Sequence, residues 1–122
     1  MDFNNTQAIY LQIADYVCDK IQLKVWKEDE KIPSVRELAV MLEVNPNTVM
    51  RSYEYLQNQE IIYTKRGMGY FVQANAAAGI LKARRTQFIS EDLPQLYKKM
   101  QLLNIAVTDL QTGYEQFINQ KN

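Results

Sequence analysis

Ile32-Pro33-Ser34-Val35-Arg36-Glu37-Leu38-Ala39 and Val44-Asn45-Pro46-Asn47-Thr48-Val49-Met50-Arg51-Ser52-Tyr53 lie one short turn apart, and Lys65-Arg66-Gly67-Met68-Gly69-Tyr70-Phe71 follows them. In the first stretch Pro33 stops an extended run and Ser34 can cap the orphan N–H groups of a new helix. Glu37 stands three residues on, as a capping box requires. The spacing predicts a short amphipathic helix from Ser34, with Val35, Leu38, Ala39 and Leu42 inward and Arg36, Glu37, Val40 and Glu43 outward. The second stretch restarts the helix: Asn45 is a strong N-cap, and Pro46 suits the first helical position because its missing N–H would have had no acceptor there. Val49, Ser52, Tyr53 and Leu56 form its inward face, leaving Asn47, Thr48, Met50, Arg51, Glu54 and Tyr55 outside.

The third stretch reads as a hairpin. Ile61, Ile62 and Tyr63 form a β-branched and aromatic run, Gly67 and Gly69 allow a tight reversal, and Tyr70, Phe71 and Val72 return as a second strand, with Lys65 and Arg66 expected at the tip. Two helices joined by a short turn and followed by such a wing make a winged helix-turn-helix, whose second helix enters a DNA major groove. The residue types fit that use. Amides pair bidentately with base edges, hydroxyls with bases or phosphates, and arginine with guanine or phosphate. A helix N-terminus attracts phosphate, and a basic glycine-containing tip can approach a phosphate or a minor groove.

Ala8-Ile9-Tyr10-Leu11-Gln12-Ile13, Ile32 to Ala39, Val44 to Val49 and Arg66-Gly67-Met68-Gly69-Tyr70-Phe71-Val72 resemble, in collinear order, the DNA-binding domain of GntR-family bacterial transcription regulators. The Asn-Pro-Asn-Thr-Val turn and the short C-terminal part are similar to the YtrA-like subfamily in particular. The resemblance implies operator contacts by Arg36, by Asn45, Asn47 and Thr48, and by Arg66 and Gly67. Ser34, Arg51 and Lys65 complete the expected DNA-binding set. Several glycines usual in the family are replaced, by Lys24 and Asp29 after the first helix, Glu43 in the turn and Glu60 before the wing, which bears on the loop conformations. For regulated genes, the resemblance implies transporter operons, ABC exporters above all.

Around these motifs Ile9, Ile13, Val17 and Ile21 recur at four-residue intervals and predict an amphipathic helix over residues 7 to 23, packed under the helix-turn-helix. Trp26 reads as a plug over the core. After Val72 the pattern is helical. Asn75-Ala76-Ala77-Ala78 opens a run through Ile80, Leu81, Arg84, Arg85 and Phe88 until Ser90, Asp92 and Pro94 mark a break or kink. Leu96, Tyr97, Met100, Leu102 and Leu103 stripe a second helix that Asn104 can end, and Thr108 or Asp109 could cap a last one carrying Leu110, Tyr114, Phe117 and Ile118. The expected class is therefore mostly α (α+β). Residues 1–74 form the winged domain and residues 75–122 a short all-helical dimerisation domain, with Leu81, Phe88, Leu96, Met100 and Leu103 at a two-fold interface. The simpler arrangement, with these helices folded back on their own winged domain, stays open.

Composition narrows the function. The chain has 122 residues, 47% of them apolar and 23% charged, enough for one domain and a small appendage. Fourteen basic and fourteen acidic side chains cancel, so indiscriminate nucleic-acid binding is disfavoured. Residues 1–73 hold eight basic and ten acidic groups, but the acids gather at Asp15, Asp19, Glu28, Asp29 and Glu30, away from the motifs. Arg36, Arg51, Lys65 and Arg66 would converge on one face with few phosphate contacts, so two copies of the domain are needed for avidity. Without histidine, and with Cys18 as the lone cysteine, neither a zinc site nor a Cys-His nucleophile can be built. The reading is of a non-enzyme without metal or cofactor, located in the cytoplasm, with no signal peptide and no bilayer-spanning run.

Two function classes fit. One is a homodimeric, sequence-specific regulator, a repressor, reading an inverted-repeat operator in double-stranded DNA, with room for an unknown small-molecule effector. The other is a winged-helix protein-interaction module, for which zero net charge speaks and for which Tyr53, Tyr55 and Tyr63 offer anchors. Arg84 and Arg85 read either as a solvated helix face or as a phosphate or effector site.

Overall fold

The computed structural model describes residues 2–120 and divides into two compact units, which meet between Ala83 and Arg84. In the first unit α1 (Ile9–Gln22) buries Ile13, Ala14, Val17, Cys18 and Ile21 along one face. Ile9, expected on that stripe, stands at the helix start and is 46% exposed. The helix closes just after Ile21, the last residue of its apolar stripe: the Val25 N–H reaches the Lys20 carbonyl at 2.9 Å and the Lys24 N–H reaches the Ile21 carbonyl at 3.0 Å. That closure turns Lys24 to φ 60°.

α2 (Val35–Leu42) begins on the predicted capping box. Ser34 Oγ accepts the Glu37 N–H at 3.1 Å while Glu37 Oε1 accepts the Ser34 N–H at 2.9 Å. α3 (Pro46–Asn58) begins on Asn45, whose Oδ1 accepts the Asn47 N–H at 2.8 Å, with Pro46 in the first turn. Between them Glu43 takes φ 57° and the Val44 N–H reaches back to the Ala39 carbonyl at 3.0 Å. Asp29 and Glu60 also have positive φ, at 62° and 58°. All four positions where the resembled family usually carries glycine thus keep the left-handed backbone despite their side chains, at roughly 1 kcal/mol of strain each.

The core is closed by two buried hydroxyls. Ser52, fully buried, donates to the Tyr10 carbonyl at 2.7 Å, which locks α3 against the first turn of α1. Tyr53, also fully buried, donates to the Pro33 carbonyl at 2.7 Å, and its ring meets Tyr70 edge-on at 4.8 Å. Burial pushes the Tyr53 phenol well above its ordinary range, because the anion would have to leave water. β1 (Ile62–Lys65) and β2 (Gly69–Val72) pair antiparallel in the register Ile62↔Val72 to Lys65↔Gly69. The Lys31 segment adds a third edge, with the Ile32 N–H on the Tyr70 carbonyl and the Val72 N–H on the Glu30 carbonyl, both at 3.0 Å. Helix α4 (Ala76–Gln87) then lays Ala76 and Ile80 into this same core. Its first turns therefore belong to the first unit, and the division between the two units falls inside the helix, between Ala83 and Arg84.

The second unit continues α4 through a π-helical turn, Phe88–Asp92, into α5 (Leu93–Leu103). The expected break at Ser90 to Pro94 takes this form because Pro94 has no N–H to give and its ring crowds the carbonyl four residues earlier, which widens the turn without ending it. Asn104 ends α5 at φ 55°. In α6 (Val107–Gln120) Asp109 Oδ2 accepts the Ala106 N–H at 3.0 Å, half of a capping box. Among the described residues of this unit only Met100 is buried.

Candidate nucleic-acid interface

The first turns of α3 carry the polar group that the sequence singled out. With Val49, Ser52, Tyr53 and Leu56 buried, the 100° step per residue aims Asn47, Arg51 and Glu54 straight outward, Met50 to one flank and Thr48 and Tyr55 to the other. The flanks can be assigned. The Tyr70 hydroxyl from β2 reaches Met50 Sδ at 3.9 Å, so the Met50 side faces the wing, and Tyr55 meets Tyr10 edge-on at 6.2 Å, so the other side faces α1. An open notch of about 330 Å³ lies between the starts of α1 and α3, lined by Ala8, Ile9, Tyr10, Asn45, Asn47, Thr48 and Arg51. Arg36, Ala39, Val40, Val44 and Pro46 line a second recess beside the helix-turn-helix turn.

The structure gives each predicted DNA-binding residue a distinct position. Arg36 and Asn47 are exposed, and Thr48 is half-buried in the notch. Ser34 spends its oxygen on the cap of α2, and Asn45 spends its carbonyl oxygen on the cap of α3 while keeping its amide N–H donors. The Ser34 N–H and hydroxyl hold the Glu37 carboxyl below its ordinary range, so Glu37 stays ionised beside Arg36. Arg51 lies over the ring of Tyr10, its guanidinium carbon 3.9 Å from the ring centre.

The wing differs from expectation at Lys65. That residue ends β1 opposite Gly69, and its ammonium folds back over the Phe71 ring at 4.4 Å instead of standing at the tip. The tip is Arg66-Gly67-Met68, closed by the Met68 N–H on the Lys65 carbonyl at 2.9 Å. Gly67, at φ 77°, supplies the angle that the third residue of a type II turn needs. Gly69 is held to glycine by its φ of 112°; a Cβ there would stand 3.1 Å from Cε of the exposed Lys31 side chain, which can move aside.

Sequence reasoning missed Tyr10, Met50, Tyr70 and Lys31 as parts of this face. Only Met50 left a trace, as an apolar side chain on an outward position between Asn47 and Arg51. Tyr53 was expected as an interaction anchor in the protein-binding reading; its complete burial removes it from that role. Tyr63 is half-buried, and its hydroxyl donates to Asp29 at 2.8 Å.

Of the residues expected at a two-fold interface, Leu81, Phe88 and Leu103 are 47%, 50% and 67% exposed, Leu96 is half-buried and Met100 is covered by its own chain. Arg84 is half-buried and engaged within the chain, and Arg85 is exposed. Among the described residues no group of acidic, cysteine or histidine side chains is placed to hold a metal ion, and no helix is long and apolar enough to cross a membrane.

The family model described as bacterial regulatory proteins, gntR family, matches residues 9–72. Over 115 residues, 94% of this chain and 93% of the relative, the sequence is 33% identical to the HTH-type transcriptional regulator YhcF of Bacillus subtilis. It is 36% identical over 96 residues to the HTH-type transcriptional repressor YtrA of the same organism, covering 79% of this chain and 73% of that one. The crystal structure of a GntR-family transcriptional regulator from Bacteroides thetaiotaomicron superposes with a TM-score of 0.77 at 48% identity, over 94% of this chain and 100% of that one.

Proposed function

The chain belongs to the gntR family of bacterial regulatory proteins, and from that membership we propose that it is a homodimeric repressor reading an inverted-repeat operator. It is a DNA-binding transcription regulator and not an enzyme. The observation that carries the finer reading is the polar start of α3, with Asn47 and Arg51 exposed, Thr48 half-buried beside them, and Arg36 sharing a recess with Pro46. In this reading α3 lies in the major groove, Asn47 and Thr48 discriminate bases, and Arg36 and Arg66 hold phosphates. Ser34 and Asn45 keep the two helix starts in shape, and Asn45 adds its amide donors.

The helices after residue 75 hold two copies together. Phe88 is half exposed, and Ile89, Tyr97, Leu102, Leu103, Val107, Tyr114 and Phe117 are more than half exposed, on a unit that among its described residues buries Met100 alone, which supports a further partner for these side chains. Repression is inferred from the relative YtrA, which carries that description, and proceeds by occupying promoter DNA. The regulated genes are those of a transporter operon, the site of action is the cytoplasm, and a small-molecule effector would act on the dimer.

Protection of the DNA immediately upstream of this chain's own coding sequence tests the reading. The expected result is a protected inverted repeat whose affinity falls steeply with salt, log K dropping with log[salt] by about 0.9 for each phosphate contacted. Salt-insensitive binding, or no protected repeat, would favour an interaction module instead.

A further inference from the structure

Arg51 is held in place without any DNA present. Its guanidinium carbon lies 3.9 Å from the centre of the Tyr10 ring, well inside the range of about 6 Å over which a cation is drawn to an aromatic face. Tyr10 is itself fixed from two directions. Its carbonyl accepts the buried Ser52 hydroxyl at 2.7 Å, and its ring meets Tyr55 edge-on at 6.2 Å with the planes 75° apart. Three residues of α3 therefore converge on this one residue of α1, and the guanidinium lies at the notch lined by Asn45, Asn47 and Thr48.

A free surface arginine loses side-chain freedom on binding, whereas one already lying over a ring keeps the same fork with less left to lose. A guanidinium covered on one face by a ring presents its N–H donors from its edge, the arrangement that a planar pair of acceptors accepts in two parallel hydrogen bonds. We propose that Tyr10 is a positioning residue for operator recognition, presetting Arg51 in the α1–α3 notch for bidentate contact with a planar pair of acceptors on DNA. The pair is either guanine O6 and N7 or two phosphate oxygens. This inference rests on the DNA-binding reading above.

The test is a double-mutant cycle on the full chain, using a labelled duplex that carries the segment protected upstream of its own coding sequence. Tyr10→Phe keeps the ring and should bind as the parent does. Tyr10→Leu keeps bulk and the Ser52 hydrogen bond, which uses only the backbone carbonyl, and should weaken binding roughly two- to fivefold with little change in melting temperature. In an Arg51→Met background the same Tyr10→Leu change should have no further effect. If guanine is the target, the Tyr10→Leu loss should vanish on a duplex containing 7-deazaguanine. If phosphate is the target, the loss should persist there and Arg51→Met should flatten the salt slope by about one unit.

Additive losses from Tyr10→Leu and Arg51→Met, or a Tyr10→Phe defect as large as that of Tyr10→Leu, would overturn the positioning role. Should Tyr10→Leu fail to fold, Arg51→Lys decides, since it keeps the charge and removes the fork: parental affinity in that variant would overturn the proposal. Absence of any salt-sensitive DNA binding by the parent chain would instead remove the reading on which the proposal stands.

Discussion

Helices α1 and α6 are each 14 residues long and each carries an apolar stripe at helical spacing, yet they end in opposite situations. α1 buries Ile13, Ala14, Val17, Cys18 and Ile21 against α3 and the rest of the first unit. α6 buries nothing: Leu110, Tyr114, Phe117 and Ile118 are 39%, 65%, 53% and 41% exposed. The difference teaches that an amphipathic pattern specifies a face in need of cover and says nothing of which chain supplies it. The first unit supplies its own cover, with side-chain caps on α2 and α3, and it carries the residues proposed to read DNA. The second leaves its apolar side chains exposed, and in the proposed dimer a second copy covers them, which also supplies a charge-balanced DNA reader with the affinity that bulk positive charge would give.

The largest effect expected from this contrast is on stability. Leu38→Ala, at a fully buried position in the first unit, should cost about 2 to 5 kcal/mol in denaturant unfolding, as transfer and cavity terms add. Leu102→Ala, at an 82% exposed position in the second, should cost less than about 0.5 kcal/mol when measured at a protein concentration low enough to separate the copies. Equal costs would mean that the second unit hides a core of its own.

Within the first unit the contrast sharpens between residues proposed to discriminate and residues proposed to attract. Asn47→Ala should cost about 1 to 3 kcal/mol on the cognate site and little on random DNA, while Arg66→Ala should weaken all duplexes and lower the salt slope by about one unit. A uniform Asn47→Ala defect across sequences would take α3 out of the groove. Next comes Ser34→Ala, which removes one side of the capping box and should destabilise the first unit by about 1 kcal/mol in thermal or chemical melts.

How much of this was legible in the sequence depended on how local the cause was. The caps at Ser34 and Asn45, the proline in the first turn of α3 and the two wing glycines could be read because each acts through hydrogen bonds or backbone angles within three residues. Asn104 and Asp109 were legible for the same reason. What escaped involves residues far apart in the chain. The Arg51 stack needs Tyr10, forty-one positions earlier, and the Met50 contact needs Tyr70, twenty positions later. Lys65 looked like a tip residue until the register paired it with Gly69 and gave its ammonium an aromatic face to lie on. The division at Ala83 left no signal at all, because α4 runs through it without a change of pattern and only the burial of Ala76 and Ile80 tells its first turns apart.

The smallest effect concerns the left-handed residues that stand where the resembled family usually carries glycine. Glu43→Gly relieves the backbone strain at φ 57° but loosens the unfolded chain by a similar amount, so stability should move by less than about 0.5 kcal/mol. The same change removes a negative charge from the helix-turn-helix turn, and DNA binding should tighten measurably at low salt. A large loss of stability would show that the Glu43 side chain is needed where glycine usually stands.

The central claim, two winged domains held in fixed register by the C-terminal helices, is tested most directly by spacing. Binding should be measured on the protected inverted repeat and on the same repeat with about five base pairs inserted between its halves, which turns one half-site to the opposite face of the duplex. A rigid two-fold reader should lose affinity by a factor of about 100 or more and fall to the level of a single half-site. Unchanged affinity after the insertion, or a single half-site that binds as tightly as the pair, would contradict it.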